Sequence, residues 1–238
     1  MPIKRLREEV YGLRKDVRDH FTIGGGFGPD EFVSQKEMLE HYSDVVSALS
    51  AYEKKRSVSN LGTLHDALMS MAGKRLSIRT DNAMEAVRQE LHGTAWFKRL
   101  QSRLGKQDFS KLRIRRKDAK LLASLSKGSG QPGMFSPPVP EFAGTLRFSR
   151  GHIELSTSTR EQAEIFAMLS LGGLVESKSH GWWHTHPLYA KQERPSGSDV
   201  EATKRWKIPL VTAYMGKDDK PHVHITDHTG KSYRVRID

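Results

Sequence analysis

Apolar residues recur at intervals of three and four through the first half of the chain and change to short alternating runs in the second. Ile3, Leu6, Val10, Leu13, Val17 and Phe21 fall on one face of a 3.6-residue repeat, which predicts an amphipathic helix over residues 3–21. Such a stripe can also pair with a second copy of the chain. Thr22 to Asp30 is rich in glycine and ends the pattern with a proline. No Lys-Ser/Thr follows the glycines, so the segment reads as a turn and not as a phosphate-binding loop. Met38, Tyr42, Val45, Val46, Leu49 and Tyr52 predict a second helix over 35–56, and a shorter one follows at about 61–72. Asp81 suits the N-cap of a fourth, with Met84, Val87 and Leu91 facing inward.

From about residue 110 the period changes. Leu112 to Ile114 alternates like a short strand, and Arg116 to Lys127 reads as a helix through Ala119, Leu122, Ala123 and Leu125. Gly128 to Pro140 is loop-like. Phe142 to Phe148 and His152 to Ser156 predict two strands joined at Ser149-Arg150-Gly151. Arg160 to Leu171 reads as a helix, Gly181 to His186 as a strand, and Asp199 to Trp206 as a helix. Leu210 to Met215, His222 to Thr226 and Ser232 to Ile237 complete a strand meander. The expected class is α/β (α+β), a mixed sheet flanked by helices over residues 109–238, preceded by an all-α module over residues 1–108. No motif that carries chemistry is visible in that module.

Composition narrows the chemistry. The 238 residues include no cysteine, which excludes disulfides, thiolate metal sites and cysteine nucleophiles. Any metal must be held by histidine and carboxylate. The net charge of +11 favours acidic partners, whether nucleic acid, anionic lipid or protein. No aromatic-interleaved basic patch or nucleic-acid motif accompanies it, so a solvated basic surface is the simpler reading. The basic start, Met1 to Arg7, lacks the apolar run of a signal peptide, and no stretch approaches a membrane span. The expectation is a cytoplasmic protein without a membrane partner, with secretion as an effector left open.

The informative stretch is Gly181-Trp182-Trp183-His184-Thr185-His186-Pro187, followed by Pro195-Ser196-Gly197-Ser198-Asp199. Residues two apart on a strand share a face, so His184 and His186 present two imidazoles together. A carboxylate from a nearby helix start, Asp199, would complete three protein ligands and leave one position open, as in catalytic zinc sites. The same spacing alone is weak evidence. His222-Val223-His224, with His228 nearby, repeats it without a serine-aspartate element and reads as a solvated strand. Alternation also sends Trp182 and Trp183 to opposite faces, so one of them is expected in the core.

The order Gly-Trp-Trp-His-Thr-His-Pro, then Ser-x-x-Asp, resembles the signature of the JAMM (MPN+) zinc metalloproteases, over roughly the second half of the chain. That resemblance implies a JAMM/MPN-like fold and hydrolysis of an isopeptide or peptide bond, with ubiquitin, a ubiquitin-like protein or a peptide tail as substrate. It implies Zn2+ held by His184, His186 and Asp199. It also implies an upstream glutamate as general base and Ser196 as a donor to the developing oxyanion. Five glutamates of the second half precede the histidines: Glu141, Glu154, Glu161, Glu164 and Glu176. Glu141-Phe142-Ala143-Gly144 fits the family pattern best, and Glu154 is second because it too lies on a predicted strand. Nine residues separate His186 from Ser196, two more than is usual in the family, in a polar segment that reads as a loop extension. The competing reading is a basic binding or scaffold module with a non-catalytic metal site. A DNA-linked relative of the same fold, the RadC-like group, is its special case.

Overall fold

A computed structural model describes residues 2–22, 35–72, 79–127, 141–155, 160–162, 170–186, 195–215 and 220–238. These residues form a mixed α/β protein with eight α-helices and nine strands. The predicted turn at 22–30, the loop at 128–140, Glu164 and most of the predicted 160–171 helix lie outside them. The chain divides into two compact units. One comprises residues 1–98 and 170–175, the other residues 99–169 and 176–238.

The first unit is built from α1 (Pro2–Thr22), α2 (Gln35–Lys54), α3 (Val58–Ala72) and α4 (Arg79–Gly93). The stripe Leu6, Val10, Leu13 and Val17 is buried because α1 packs along both α2 and α4. That burial uses the face that could have paired with a second copy. Met38, Val45, Leu49 and Tyr52 from α2, and Leu61, Leu64, Leu68 and Met71 from α3, complete the core. Tyr52 keeps its hydroxyl satisfied by donating to Glu90 at 2.7 Å. Helix α4 starts three residues earlier than an N-cap at Asp81 implies, so Asp81 sits inside the first turn, where its charge still favours the helix dipole. Met84 is only half-buried, and Ala83 and Ala86 take the inner positions beside Val87 and Leu91.

The chain passes from the first unit to the second within α5 (Ala95–Leu104), a helix that the sequence pattern did not predict. The second unit continues with β1 (Arg113–Ile114), α6 (Arg116–Lys127), β2 (Glu141–Ser149), β3 (His152–Leu155), β4 (Arg160–Gln162) and α7 (Leu171–Glu176). Most of α7 belongs to the first unit. The second unit ends with β5 (Gly181–Thr185), α8 (Gly197–Trp206), β6 (Leu210–Met215), β7 (Pro221–Thr226), β8 (Ser232–Arg234) and β9 (Arg236–Ile237). One sheet has the order β8-β7-β6-β5-β2-β3-β1-β9, with β4 paired to β2.

Three expectations need correction. Residues 160–162 form a strand antiparallel to β2, not the start of a helix. The last strand, β9, leaves the meander to pair in parallel with β1. Both tryptophans are buried, because β5 is central and covered on both faces. Trp182 meets Trp206 of α8 edge-on at 6.2 Å, which sets α8 on the face that Trp182 shares with His184. On the other face, Trp183 packs over Gly144.

Two tests follow from this packing. A Cβ at Gly144 would stand 2.6 Å from Trp183 Nε1. Gly144→Ala is therefore expected to cost about 1–3 kcal/mol in urea unfolding, whereas Gly151→Ala, strained only by its backbone, leaves the Trp183 fluorescence unchanged. His180 has a lowered pKa, through burial first and then the charges of Arg103 and Arg147. Its Nδ1 faces the Phe148 N–H at 2.9 Å and its Nε2 faces Arg103 Nη1 at 2.6 Å. The unfolded chain takes up that proton more readily, so stability is full above the unfolded pKa of about 6.5 and falls as pH drops below it. His180→Asn should be less stable at neutral pH but lose less of its urea midpoint on acidification.

Candidate metal centre

The parallel pair β5–β6 is joined through α8, and the site forms where β5 ends and α8 begins. This is where open α/β sheets place their ligands. The backbone N–H of His186 donates to Ala213 O at 2.8 Å, which extends the β5–β6 register just past the strand. Alternation then puts His184 and His186 on one face, 7% and 5% exposed. Asp199, 6% exposed, comes from the first turn of α8.

What fixes Asp199 is a capping box. Ser196 is the N-cap, its Oγ accepting from Asp199 N at 3.1 Å, while Ser196 N donates to Asp199 Oδ2 at 2.7 Å. The same carboxylate meets both imidazoles. His184 Nε2 lies 3.1 Å from Oδ1, His186 Nε2 lies 3.3 Å from Oδ2, and the two Nε2 atoms are 3.2 Å apart. Burial alone would push the Asp199 carboxyl up. The hydrogen bonds and charges of His184 and His186 outweigh it and hold the group well below the ordinary carboxylate range.

These spacings test the fit of a metal. Ligands at about 2.0–2.1 Å from a tetrahedral zinc stand about 3.3–3.4 Å from one another. The two Nε2 atoms, 3.2 Å apart, fit that spacing, and the carboxylate approaches one with each oxygen, at 3.1 and 3.3 Å. Among the described residues this is the one group of three such side chains that converges closely enough to hold an ion. Both histidines and Asp199 are where the sequence placed them.

The upstream glutamates are separated by register. Ala143 is the partner of His184 across β2 and β5. Two residues along, position 141 falls opposite position 186, and the Phe142 N–H donates to Thr185 Oγ1 at 3.2 Å to tie the two strands there. Position 161 is paired with position 142 and so belongs to the alternate set. Glu154 is paired with Arg147, four residues or roughly 13 Å along β2 from Ala143, and its carboxylate lies 3.8 Å from Arg115. Glu176 is exposed at the end of α7.

Two groups at the site carried no sequence signal. Thr212 of β6, fully buried, is the partner of His184, and its hydroxyl lies 3.3 Å from His184 Nε2. Across β6 and β7, Thr212 pairs with His224 and Tyr214 with His222. The second His-x-His pair is therefore half-buried on the site face, where Tyr214 stacks on His222 at 5.5 Å and lies 3.2 Å from His224 Nε2. It is not the solvated strand its sequence suggested. A Ser-His-Asp group in the helical unit is structural. Ser170 donates to Asp66 at 2.6 Å, and Asp66 also accepts from the N–H groups of Leu171 and Gly172. An aspartate between the other two members caps α7 and activates no nucleophile.

No family model matches the chain, and no curated protein matches it. Among the described residues, no helix is long and apolar enough to cross a membrane.

Asp199→Ala is expected to abolish stoichiometric Zn2+ or Co2+ binding by titration calorimetry. Ser196→Ala keeps the stoichiometry and the backbone N–H that holds the carboxylate, but loosens the helix start that carries Asp199, and is expected to weaken affinity about tenfold. Equal affinities for parent and Ser196→Ala would show that the N-cap hydroxyl does not help to position Asp199.

Proposed function

We propose that the chain is a zinc-dependent hydrolase of JAMM type that cleaves an isopeptide or peptide bond, with ubiquitin or a ubiquitin-like tail as the substrate class. The convergence of His184, His186 and Asp199 in one buried cluster carries this reading. Their donor set, two imidazoles and one carboxylate, suits zinc and leaves a coordination position for chemistry. When bound, the ion supplies a Lewis acid that polarises a carbonyl and acidifies water to a pKa near 7.

The chain's own groups would do the rest. Glu141, in register with His186, takes a proton from the attacking water and hands it to the leaving amine. The Ser196 hydroxyl already accepts from Asp199 N, which orients its own proton to donate to the carbonyl oxygen as charge develops there. Such a donor is worth about 2.7–4 kcal/mol of barrier. Thr212 and the buried face of β5 exclude bulk water from the ligands, which strengthens each of these interactions.

One observation favours the second reading, a basic binding module with a non-catalytic ion. Between residues 99 and 127 there are ten lysines and arginines against two aspartates, so this stretch holds +8 of the net +11. Arg99, Lys106, Arg116, Lys117 and Lys120 within it are exposed.

The deciding experiment is cleavage of linkage-defined ubiquitin chains and tagged ubiquitin-like fusions by zinc-loaded protein. Glu141→Gln is expected to lose about 10²–10⁴ in rate while holding one zinc, and Glu154→Gln to stay near the parent. Zinc binding without cleavage of any amide substrate, together with strongly salt-dependent binding of DNA or RNA, would favour the second reading. Failure to hold zinc at all would end the first.

A further inference from the structure

The helical unit carries a cleft that the proposed chemistry does not use. It lies between α1 and α2, has a volume of about 670 Å3, and is lined by Tyr11, Arg14, Lys15, Arg18 and Leu39. It continues past Tyr42 and Val46. Two features set it apart from an ordinary solvated helix face. Tyr11 is 50% and Leu39 42% exposed, and they are two of only four large hydrophobic side chains so exposed among the described residues. They sit beside a basic wall, and Arg14 and Lys15 have no acidic partner among the described residues.

The dimensions follow from helix geometry. Tyr11 to Arg18 on α1, and Leu39 to Val46 on α2, are each seven residue steps apart, or about 10.5 Å. That is two turns, the length over which one amphipathic helix sets anchors at i, i+4 and i+7 into a groove. The floor supplies apolar and aromatic contact through Leu39, Val46, Tyr11 and Tyr42. The α1 wall supplies positive charge along the same length. The buried stripe of α1 faces away from this cleft and into its own core, so an occupant need not open the fold.

We infer that the α1–α2 cleft is a docking site for an acidic amphipathic helix of a protein partner, its apolar anchors on Leu39 and the two tyrosines and its carboxylates along Arg14, Lys15 and Arg18. This inference does not depend on the metal centre.

The test uses the full chain and a fluorescein-labelled helical peptide with leucines at i, i+4 and i+7 and glutamates between them. Anisotropy is expected to show saturable binding that weakens as salt is raised, since the contacts are exposed charges. Arg14→Glu combined with Lys15→Glu should weaken it at least about tenfold, as should Leu39→Asp. Both are exposed positions, and unchanged circular dichroism would show that the unit still folds. The same peptide with lysine for glutamate should not bind. The inference is overturned if the acidic peptide binds no better than the basic one, or if charge reversal leaves affinity intact. Binding of labelled oligothymidine at this cleft in place of the peptide would overturn it in favour of nucleic acid. Dimerisation of the chain lost with Arg14→Glu and Lys15→Glu, without peptide binding, would overturn it in favour of a second copy.

Discussion

The Asp199 carboxylate is the joint on which the candidate centre depends. A carboxylate this deeply buried is costly unless its oxygens are satisfied. Here Oδ2 takes the Ser196 N–H and faces His186, while Oδ1 faces His184. Two neutral imidazoles can satisfy them, each giving its Nε2–H to its own carboxylate oxygen. A single cation held by the three would take the place of both protons. The capping box matters for the same reason. It holds the carboxylate in one rotamer before any ion arrives, so less entropy is lost on binding.

The three converging side chains were legible because each lies close in sequence to the feature that places it. His184 and His186 need only strand alternation, and Asp199 needs only a helix start three residues after a serine. Position 141 required more, since its standing rests on the antiparallel register of β2 with β5. Thr212 and Tyr214 were not legible at all. They reach the site through a parallel pairing whose partner strand follows an intervening helix, and no local pattern encodes that.

The fold shows the same division. Helices α1 to α3 were readable because long apolar stripes dominate their pattern. Helix α5 was missed although Phe97, Leu100 and Leu104 keep the spacing and are buried. Ten residues framed by Gly93 and Gly105 give the period little room to show. The strand at 160–162 failed for a different reason. Arg160-Glu161-Gln162 has no strand propensity of its own, and the pairing with β2 decides the outcome. For Trp182 and Trp183 the alternation was right and the inference from it wrong. A central strand covered on both sides has no solvent face to which either could be sent.

The fate of the α1 stripe connects these points to the surface. From sequence, Leu6, Val10, Leu13 and Val17 could serve self-association or an internal core. Packing along α2 and α4 consumes them in the core. Tyr11, exposed on the same helix, is then left without the role that the period would assign to an apolar position, as is Leu39 on α2. Neither is explained by the stability of the unit, because burying them would add to it. Their juxtaposition with Arg14 and Lys15 needs two helices to be packed before it exists. A reading of either helix alone finds only a solvated face with one stray hydrophobe. The chemistry of that cleft is a property of the helix pair, just as the candidate metal centre is a property of one strand and the helix that follows it.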